Sequence, residues 1–473
     1  KATRGTAMIG LEIHCQLTTL DSKLFCSCKA DYRSFEPNTN ICPVCMGIPG
    51  TLPRLNKKAV EKATMIAMAL NCKTPEKLGF FRKNYFYPDL PKNFQITQLN
   101  LYGPTSIGQE GKITIDYKDI RIRRIQLEED PGRLIYEGAS ERTAITLVDY
   151  NRAGTPLVEI VTEPDFENPR HVRIFLNVLS DLLENLGVSD PTLEGAMRAD
   201  ANVSVEGGNR VEVKNIGSFH DLEKAIHFEL TRQNSLKERG MEIAQETRHW
   251  DDKRKITVSS RSKEEDEDYR YILEGDIPWV AMDENSLARW KQNMPESISS
   301  KKERYVGKYG IASQVADVLS SDKYYSDLFE QAHNTSNAKE IANIITTDLM
   351  GLIDTREKRE QSKLTPSHLT ELVSAISAGK ITKSSAKNAL QEIVKTGKSV
   401  SDIISSTGMA KISDESELAK IIDEVMTLEP NAVVQAKENP QTINYLVGKI
   451  MQKTKGKADP TTTLNLLKKK IGI

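Results

Sequence analysis

Gly10-Leu-Glu-Ile-His-Cys-Gln-Leu17 sets Glu12 and His14 in alternation with Leu11, Ile13, Cys15 and Leu17. Side chains of a strand point to opposite faces in turn, so the stretch predicts a β-strand that buries an aliphatic side and presents two metal-ligand types on the other. The pattern returns in Met197-Arg-Ala-Asp-Ala-Asn-Val-Ser-Val205, where Arg198, Asp200 and Asn202 oppose small or aliphatic residues, and in Val211-Glu-Val-Lys-Asn215, where Glu212 and Lys214 do. Alternating polar residues ordinarily mark only the wet side of an antiparallel sheet. Solvated faces favour Lys, Thr and Ser, however, whereas here Glu, His, Asp and Asn recur in three segments, the mixture of a cation or catalytic site. Such a face suits Mg2+ and phosphate oxygens, because that ion takes one or two carboxylates and lets water or phosphate complete its octahedron.

The rest of the chain fits a soluble globular protein of roughly two to four domains. At 473 residues, with 28% charged and 38% hydrophobic residues, it is ordinary for a globular protein and excludes a disordered or membrane-spanning class. No apolar run reaches the length of a bilayer, so no membrane insertion is expected. Net charge is −1, yet residues 441–473 hold seven lysines (449, 453, 455, 457, 468, 469 and 470) against one acid, Asp459. A lysine-rich end is either a solvated surface or the electrostatic footprint of a nucleic-acid partner.

The first 290 residues carry short alternating runs, Gly and Pro, with two clear helices, one after Asn56 and one from Asn168-Pro169 to Gly187 bearing Val172, Phe175, Leu176, Leu179, Leu182, Leu183 and Leu186 at helical spacing. After about Pro295 strand signals stop and helix signals follow one another, the charged stretch 355–363 reading as a linker. Beyond about 405 come three short helices with start signals at Ser413 or Asp414, at Asn439-Pro440 and at Asp459-Pro460. The expected fold is α+β: a mostly antiparallel-sheet domain (1–290), an all-helical domain (291–405) and a small helical tail domain (406–473).

Cys26-Ser-Cys28 and Cys42-Pro-Val-Cys45 are two close pairs thirteen residues apart. That spacing lets two turns bring four thiolates onto one tetrahedral ion, for which Zn2+ is the natural occupant. Two disulfides are the competing reading, and the unpaired Cys15 and Cys72 with no secretory segment count against it. No open ligand position or nearby histidine suggests catalysis, so the zinc is expected to staple a loop.

Together with Arg82-Lys-Asn-Tyr-Phe-Tyr-Pro-Asp-Leu-Pro91, Leu127-Glu-Glu-Asp130, Asp149-Tyr-Asn-Arg-Ala-Gly-Thr-Pro-Leu157 and Gln245-Glu-Thr-Arg248, these motifs resemble the B subunit of the glutamyl-tRNA(Gln) amidotransferase, nearly end to end. The resemblance implies a catalytic cradle domain, a tRNA-binding tail, an amidase (A) partner that supplies ammonia from glutamine through a tunnel, and a small third subunit of C type or a replacement. It further implies that this chain uses ATP to phosphorylate the Glu side chain of mischarged Glu-tRNA(Gln), after which ammonia displaces phosphate to give Gln-tRNA(Gln). Phosphorylating a carboxylate requires Mg2+ and cations around the transferring group.

By the same resemblance Glu12, His14 and Glu129 match metal-holding positions, while Glu128, Asp200 and Glu212 fall in the catalytic pocket. Arg198 and Lys214 are expected to contact phosphate, or instead to serve as internal salt-bridge partners. Arg82, Lys83, Tyr85, Phe86 and Tyr87 are read either as a rigid aromatic loop or as a tRNA acceptor-end contact. The sequence departs from the family at Glu274-Gly275-Asp276, where Glu-Pro-Asp is usual.

The rival readings are a non-catalytic tRNA-docking scaffold and an amidase or conventional nucleotide-binding enzyme acting alone, the second lacking any Gly-x-x-x-x-Gly-Lys-[Ser/Thr], Gly-x-Gly-x-x-Gly or Gly-x-Ser-x-Gly motif. The start at Lys1 and the Lys-, Asn- and Ser-rich helical half favour a mitochondrial matrix protein over a bacterial cytoplasmic one.

Overall fold

A computed structural model describes residues 7–137, 145–260, 269–407, 412 and 415–472. The chain divides into two compact units, Lys1–Ser297 and Ile298–Ile473.

The first unit is organised by an eight-stranded sheet built from β1 (Ala7–Gln16), β2 (Gly108–Ile115), β3 (Lys118–Glu129), β4 (Pro156–Thr162), β5 (Met197–Val205), β6 (Val211–Lys214), β7 (Glu246–Asp251) and β8 (Ile256–Ser259). Their order across the sheet is β8-β7-β6-β5-β1-β4-β3-β2, and every neighbouring pair is antiparallel except β6 and β7. The alternation read in the sequence is realised in the central strands. Ile9, Leu11, Ile13 and Cys15 of β1 and Ala199, Ala201 and Val203 of β5 lie in one buried cluster, while Glu12, His14, Asp200 and Asn202 occupy the other face.

Helices cover the apolar face. The Asn168 side chain accepts from His171 N–H and Pro169 opens the first turn of the helix Pro169–Asn185, whose Val172, Phe175, Leu176, Leu179 and Leu183 are buried; Gly187 follows at φ +65°. A further helix that apolar periodicity does not reveal, Phe219–Glu238, lies beside it. Ser218 caps this helix by accepting from Asp221 N–H, and Leu222, Ala225 and Ile226 enter the same core. Its stripe is hard to read because Glu229 and Gln233 are also buried, Gln233 donating to Val203 O and accepting from Val205 N–H.

One irregularity decides which side chains reach the polar face. Between Ile122 and Arg124 the register of β3 against β4 shifts, Ile122 opposing Thr162 and Arg124 opposing Val161. The bulge changes the parity of the strand. Ile120 and Ile122 point to the core before it, Ile125 and Leu127 after it, so Gln126 and Glu128 emerge on the side of His14.

The second unit contains only helices among its described residues. Residues from Tyr305 to Ile403 form one apolar cluster, and residues from Leu418 to Ile471 form another. The stretch expected as a linker is instead a helix, Arg356–Gln361, because Thr355 caps it, accepting from Lys358 N–H, and Arg359 anchors it to Asp322 at 2.8 Å. The start signals at Ser413 and Asp414 lie outside the described residues, and the helix after them runs Glu415–Leu428. Pro430 cannot continue that helix and takes the first turn of a new one, Pro430–Glu438, which the sequence reading does not include. No helix among the described residues is long and apolar enough to cross a membrane.

Candidate functional site

His14, Glu128 and Glu159 bring one donor atom each to within 4.8 Å of the others, from three adjacent strands. His14 Nε2 lies 3.5 Å from Glu159 Oε2 and 3.9 Å from Glu128 Oε1. Thr97 Oγ1 donates to Glu128 Oε2 at 2.7 Å, and Arg124 Nη2 lies 3.4 Å from Glu159 Oε1. Burial and the charge of Glu159 push the Glu128 carboxyl up, to about 7. Burial also opposes ionisation of Glu159, but the hydrogen bond and charge of His14 and the charges of Arg124 and Lys83 outweigh it, leaving that carboxylate well below its usual range. For His14, burial disfavours the imidazolium while Glu159 and Glu128 more than restore it, so its pKa is raised. Two carboxylates pushed apart across one imidazole, at the floor of a polar face, form an arrangement suited to hold a cation and to handle protons.

The flanking residues extend this face. Glu12 receives a 3.5 Å contact from Asn202 Nδ2, and burial followed by Glu159 and Glu212 raises its pKa. Lys214 Nζ is 3.0 Å from Glu212 Oε1 and 3.9 Å from Asp200 Oδ2. Arg198 donates to Asp130 Oδ1 at 2.9 Å, with Gln16 Nε2 on Asp130 Oδ2 at 2.6 Å and Arg152 Nε 3.8 Å away. Both cations expected at phosphate are thus engaged in internal ion pairs. Lys83 has no ion pair among the described residues. Its Nζ lies 4.4 Å from the Tyr269 ring centroid and 5.6 Å from that of Tyr85, and its charge lowers both Glu128 and Glu159.

Glu129 does not join Glu12 and His14, and the expectation that it does is corrected. Adjacent strand residues face opposite ways, and the bulge gives the polar face to Glu128. The Glu129 carboxylate instead meets Lys92 Nζ at 2.5 and 2.7 Å and accepts from Ile96 N–H at 2.9 Å. It lines a separate pocket of about 290 Å³ with Lys92, Arg82, Glu274, Cys26 and Cys45. Arg82 is held there by Glu274 through contacts of 2.7 and 2.8 Å. In the same loop Phe86 is 75% exposed.

The four cysteines converge. Cys26, Cys28, Cys42 and Cys45 bring their Sγ atoms within 4.8 Å of one another, and none is in a disulfide. Tetrahedral zinc with bonds of about 2.3 Å needs sulfurs roughly 3.8 Å apart, which small side-chain rotations from this arrangement would reach. Cys42 N–H donates to Cys45 Sγ at 3.2 Å, a contact that favours thiolate. Cys15 is fully buried and Cys72 partly so, and burial raises both thiols.

In the tail, Lys449, Lys453 and Lys470 pair with Glu429, Glu424 and Asp423. Lys455, Lys457, Lys468 and Lys469 form no ion pair among the described residues.

Sequence reasoning missed Glu159, Asp130 and Arg124. A signal existed for the first: Pro156-Leu-Val-Glu-Ile-Val-Thr162 is an apolar strand with one acid at its centre, and a buried lone carboxylate needs a partner or an ion.

A family model described as the GatB/GatE catalytic domain matches residues 7–288, and one described as the GatB domain matches residues 327–471. The chain is 48% identical over 469 residues to the aspartyl/glutamyl-tRNA(Asn/Gln) amidotransferase B subunit of Sulfolobus acidocaldarius, covering 98% of this chain and 99% of the relative. It is 46% identical to the protein of that name from Saccharolobus solfataricus, with the same coverage, and 43% identical to that of Thermotoga maritima, covering 98% of each.

Proposed function

Because the chain belongs to the family of aspartyl/glutamyl-tRNA(Asn/Gln) amidotransferase B subunits, we propose that its polar sheet face activates the side-chain carboxylate of a mischarged tRNA with ATP and passes it to ammonia. The observation that carries this reading is the meeting of His14, Glu128 and Glu159 on that face, with the charge of Lys83, which has no ion pair among the described residues, acting on both carboxylates.

In the proposed reaction the substrate carboxylate oxygen attacks the γ-phosphorus, ADP leaves, and ammonia then adds to the acyl carbon and expels phosphate, leaving the amide. His14, Glu128 and Glu159 would hold Mg2+, which neutralises phosphate charge when bound. The fit is good: two hard carboxylates, one of them buried, and an imidazole already stand together, and the raised Glu128 carboxyl gains most by meeting a cation. Lys83, clamped between Tyr85 and Tyr269, supplies a positive charge beside the transferring phosphoryl group, and Arg124 holds Glu159 ionised. Glu12, Asp200 and Glu212, with Lys214 among them, flank the site, where Lys214 can exchange a carboxylate for a phosphate oxygen. Arg198 positions Asp130 and Gln16 rather than substrate.

The amidase and small third subunit act as partners of this chain in the proposed complex. The four cysteines hold structural Zn2+. Residues 1–290 serve as cradle, 291–405 as helical domain and 406–473 as tRNA-binding tail, a division supported by the separate apolar clusters. Archaeal and bacterial relatives support a prokaryotic cytoplasm over the mitochondrial matrix.

Phosphate release from ATP, with amidase partner, Mg2+ and an ammonium salt, tests the reading when Glu-tRNA(Gln) and Asp-tRNA(Asn) are compared with uncharged tRNA. Turnover with one or both charged tRNAs, lost in Glu128→Gln, is expected. An intact complex that binds charged tRNA without releasing phosphate would leave a docking scaffold.

A further inference from the structure

Lys23 is fully buried, and it forms no ion pair with a carboxylate among the described residues. Its Nζ donates to Asn40 O at 2.9 Å and contacts Cys45 Sγ at 3.7 Å, while its backbone N–H donates to Cys28 O. Glu129 is across Gly154 from it: a Cβ built on that glycine would stand 3.4 Å from Lys23 Cδ and 3.9 Å from Glu129 Oε2. The Glu129 carboxylate is already taken by Lys92. A buried ammonium without a counter-charge is strongly disfavoured. Four neutral thiols or two disulfides would leave Lys23 in that position. Four thiolates around a divalent ion carry a net charge of −2 and would not.

We infer that Lys23 is the counter-ion of the four-cysteine centre, a positioning residue whose buried ammonium balances the charge of a zinc tetrathiolate and which joins its two cysteine segments. The inference rests on the zinc reading of the centre. Loading exchanges four thiol protons for one Zn2+, so the centre passes from neutral to −2, and a fixed positive charge 3.7 Å from one sulfur favours the loaded state. Lys23 also joins the two segments, since its backbone N–H donates to Cys28 O and its ammonium to Asn40 O in the segment leading into Cys42–Cys45.

The test compares the full chain with Lys23→Met and Lys23→Arg. It measures bound zinc by elemental analysis and zinc release to a chromogenic chelator, with far-ultraviolet circular dichroism as the check on folding. Wild type is expected to hold one zinc. Removal of partners outside the ligand sphere typically changes metal affinity about 10- to 100-fold, so Lys23→Met should release zinc faster by such a factor, while Lys23→Arg stays near wild type. A wild-type chain without zinc would overturn both the zinc reading and the counter-ion. Zinc present in wild type and released at an unchanged rate from folded Lys23→Met would overturn the counter-ion alone. Should Lys23→Met fail to fold, Lys23→Arg decides: slow release supports the charge role, and release accelerated by more than about tenfold refutes it.

Discussion

Replacing Glu128 with glutamine should abolish ATP turnover and stabilise the protein at once. Glu128 is almost wholly inaccessible, and burial with the Glu159 charge raises its pKa from 4.5 to about 7. A carboxyl whose folded pKa exceeds its unfolded value contributes stability that is complete below the unfolded pKa and is lost as pH rises through the folded one. Between about pH 4.5 and 7 the native state therefore forfeits stability. At about 1.4 kcal/mol for each pH unit, the loss reaches roughly 3 kcal/mol above about pH 7. Glutamine keeps the shape and can still accept from Thr97 Oγ1, but it has no proton to lose.

Urea unfolding without Mg2+, followed by tryptophan fluorescence, checks this cleanly, because all three tryptophans, Trp250, Trp279 and Trp290, lie in the first unit. The variant should exceed wild type by up to about 3 kcal/mol at about pH 8, and the gap should shrink towards about pH 5. Magnesium should then close it at the higher pH by stabilising wild type alone, by about 2.7 kcal/mol at roughly a hundred times the dissociation constant. A Glu128→Gln chain less stable than wild type under those conditions, or a gap independent of pH, would refute the argument that this carboxylate is held at a cost for a cation.

Asp130 behaves oppositely: burial raises its pKa, but Arg198, Arg152 and Gln16 more than reverse this, so its folded pKa is depressed. Its contribution is present above the unfolded value and disappears as pH falls through the folded one, so Asp130→Asn should cost about 3 kcal/mol at about pH 7, with the gap narrowing below about pH 4 in the same urea assay. Deleting residues 406–473 should weaken tRNA binding and flatten its salt dependence, and Lys468→Ala with Lys469→Ala should lower the slope of log affinity against log salt by about 2 in filter binding. Chelation of the zinc proposed at the four cysteines should lower the first unfolding midpoint while phosphate release, assayed below that temperature, persists; prompt loss of turnover would tie the cysteine loop to the chemistry.

The central strands were legible because their alternation is undisturbed: Glu12 and His14, Asp200 and Asn202, Glu212 and Lys214 all emerge on one face. The cysteine convergence was legible from spacing alone. Glu128 and Glu129 were not separable, because their facing depends on the upstream bulge between Ile122 and Arg124, which has no composition of its own. The helix Phe219–Glu238 escaped because its buried positions include Glu229 and Gln233, although Ser218-Phe-His-Asp221 carried a capping signal. Glu159 escaped because a lone acid in an apolar run looks like an error of pattern until its neighbours across the sheet are known.

The bulge in β3 also governs what the strand can tolerate as it changes over generations. Loss of Arg123, the extra residue, would only heal the bulge, but loss of one residue between it and Glu128 would carry Glu129 into the place of Glu128 beside the imidazole and Asp130 into that of Glu129 beside Lys92. Acids would again stand at both places, so such an event would be nearly silent in local charge while drawing Glu128 into the buried place of Leu127. Strand length here should therefore be more rigidly kept than strand sequence, and comparisons among relatives that count positions from the Leu-Glu-Glu-Asp motif alone will misassign the pair.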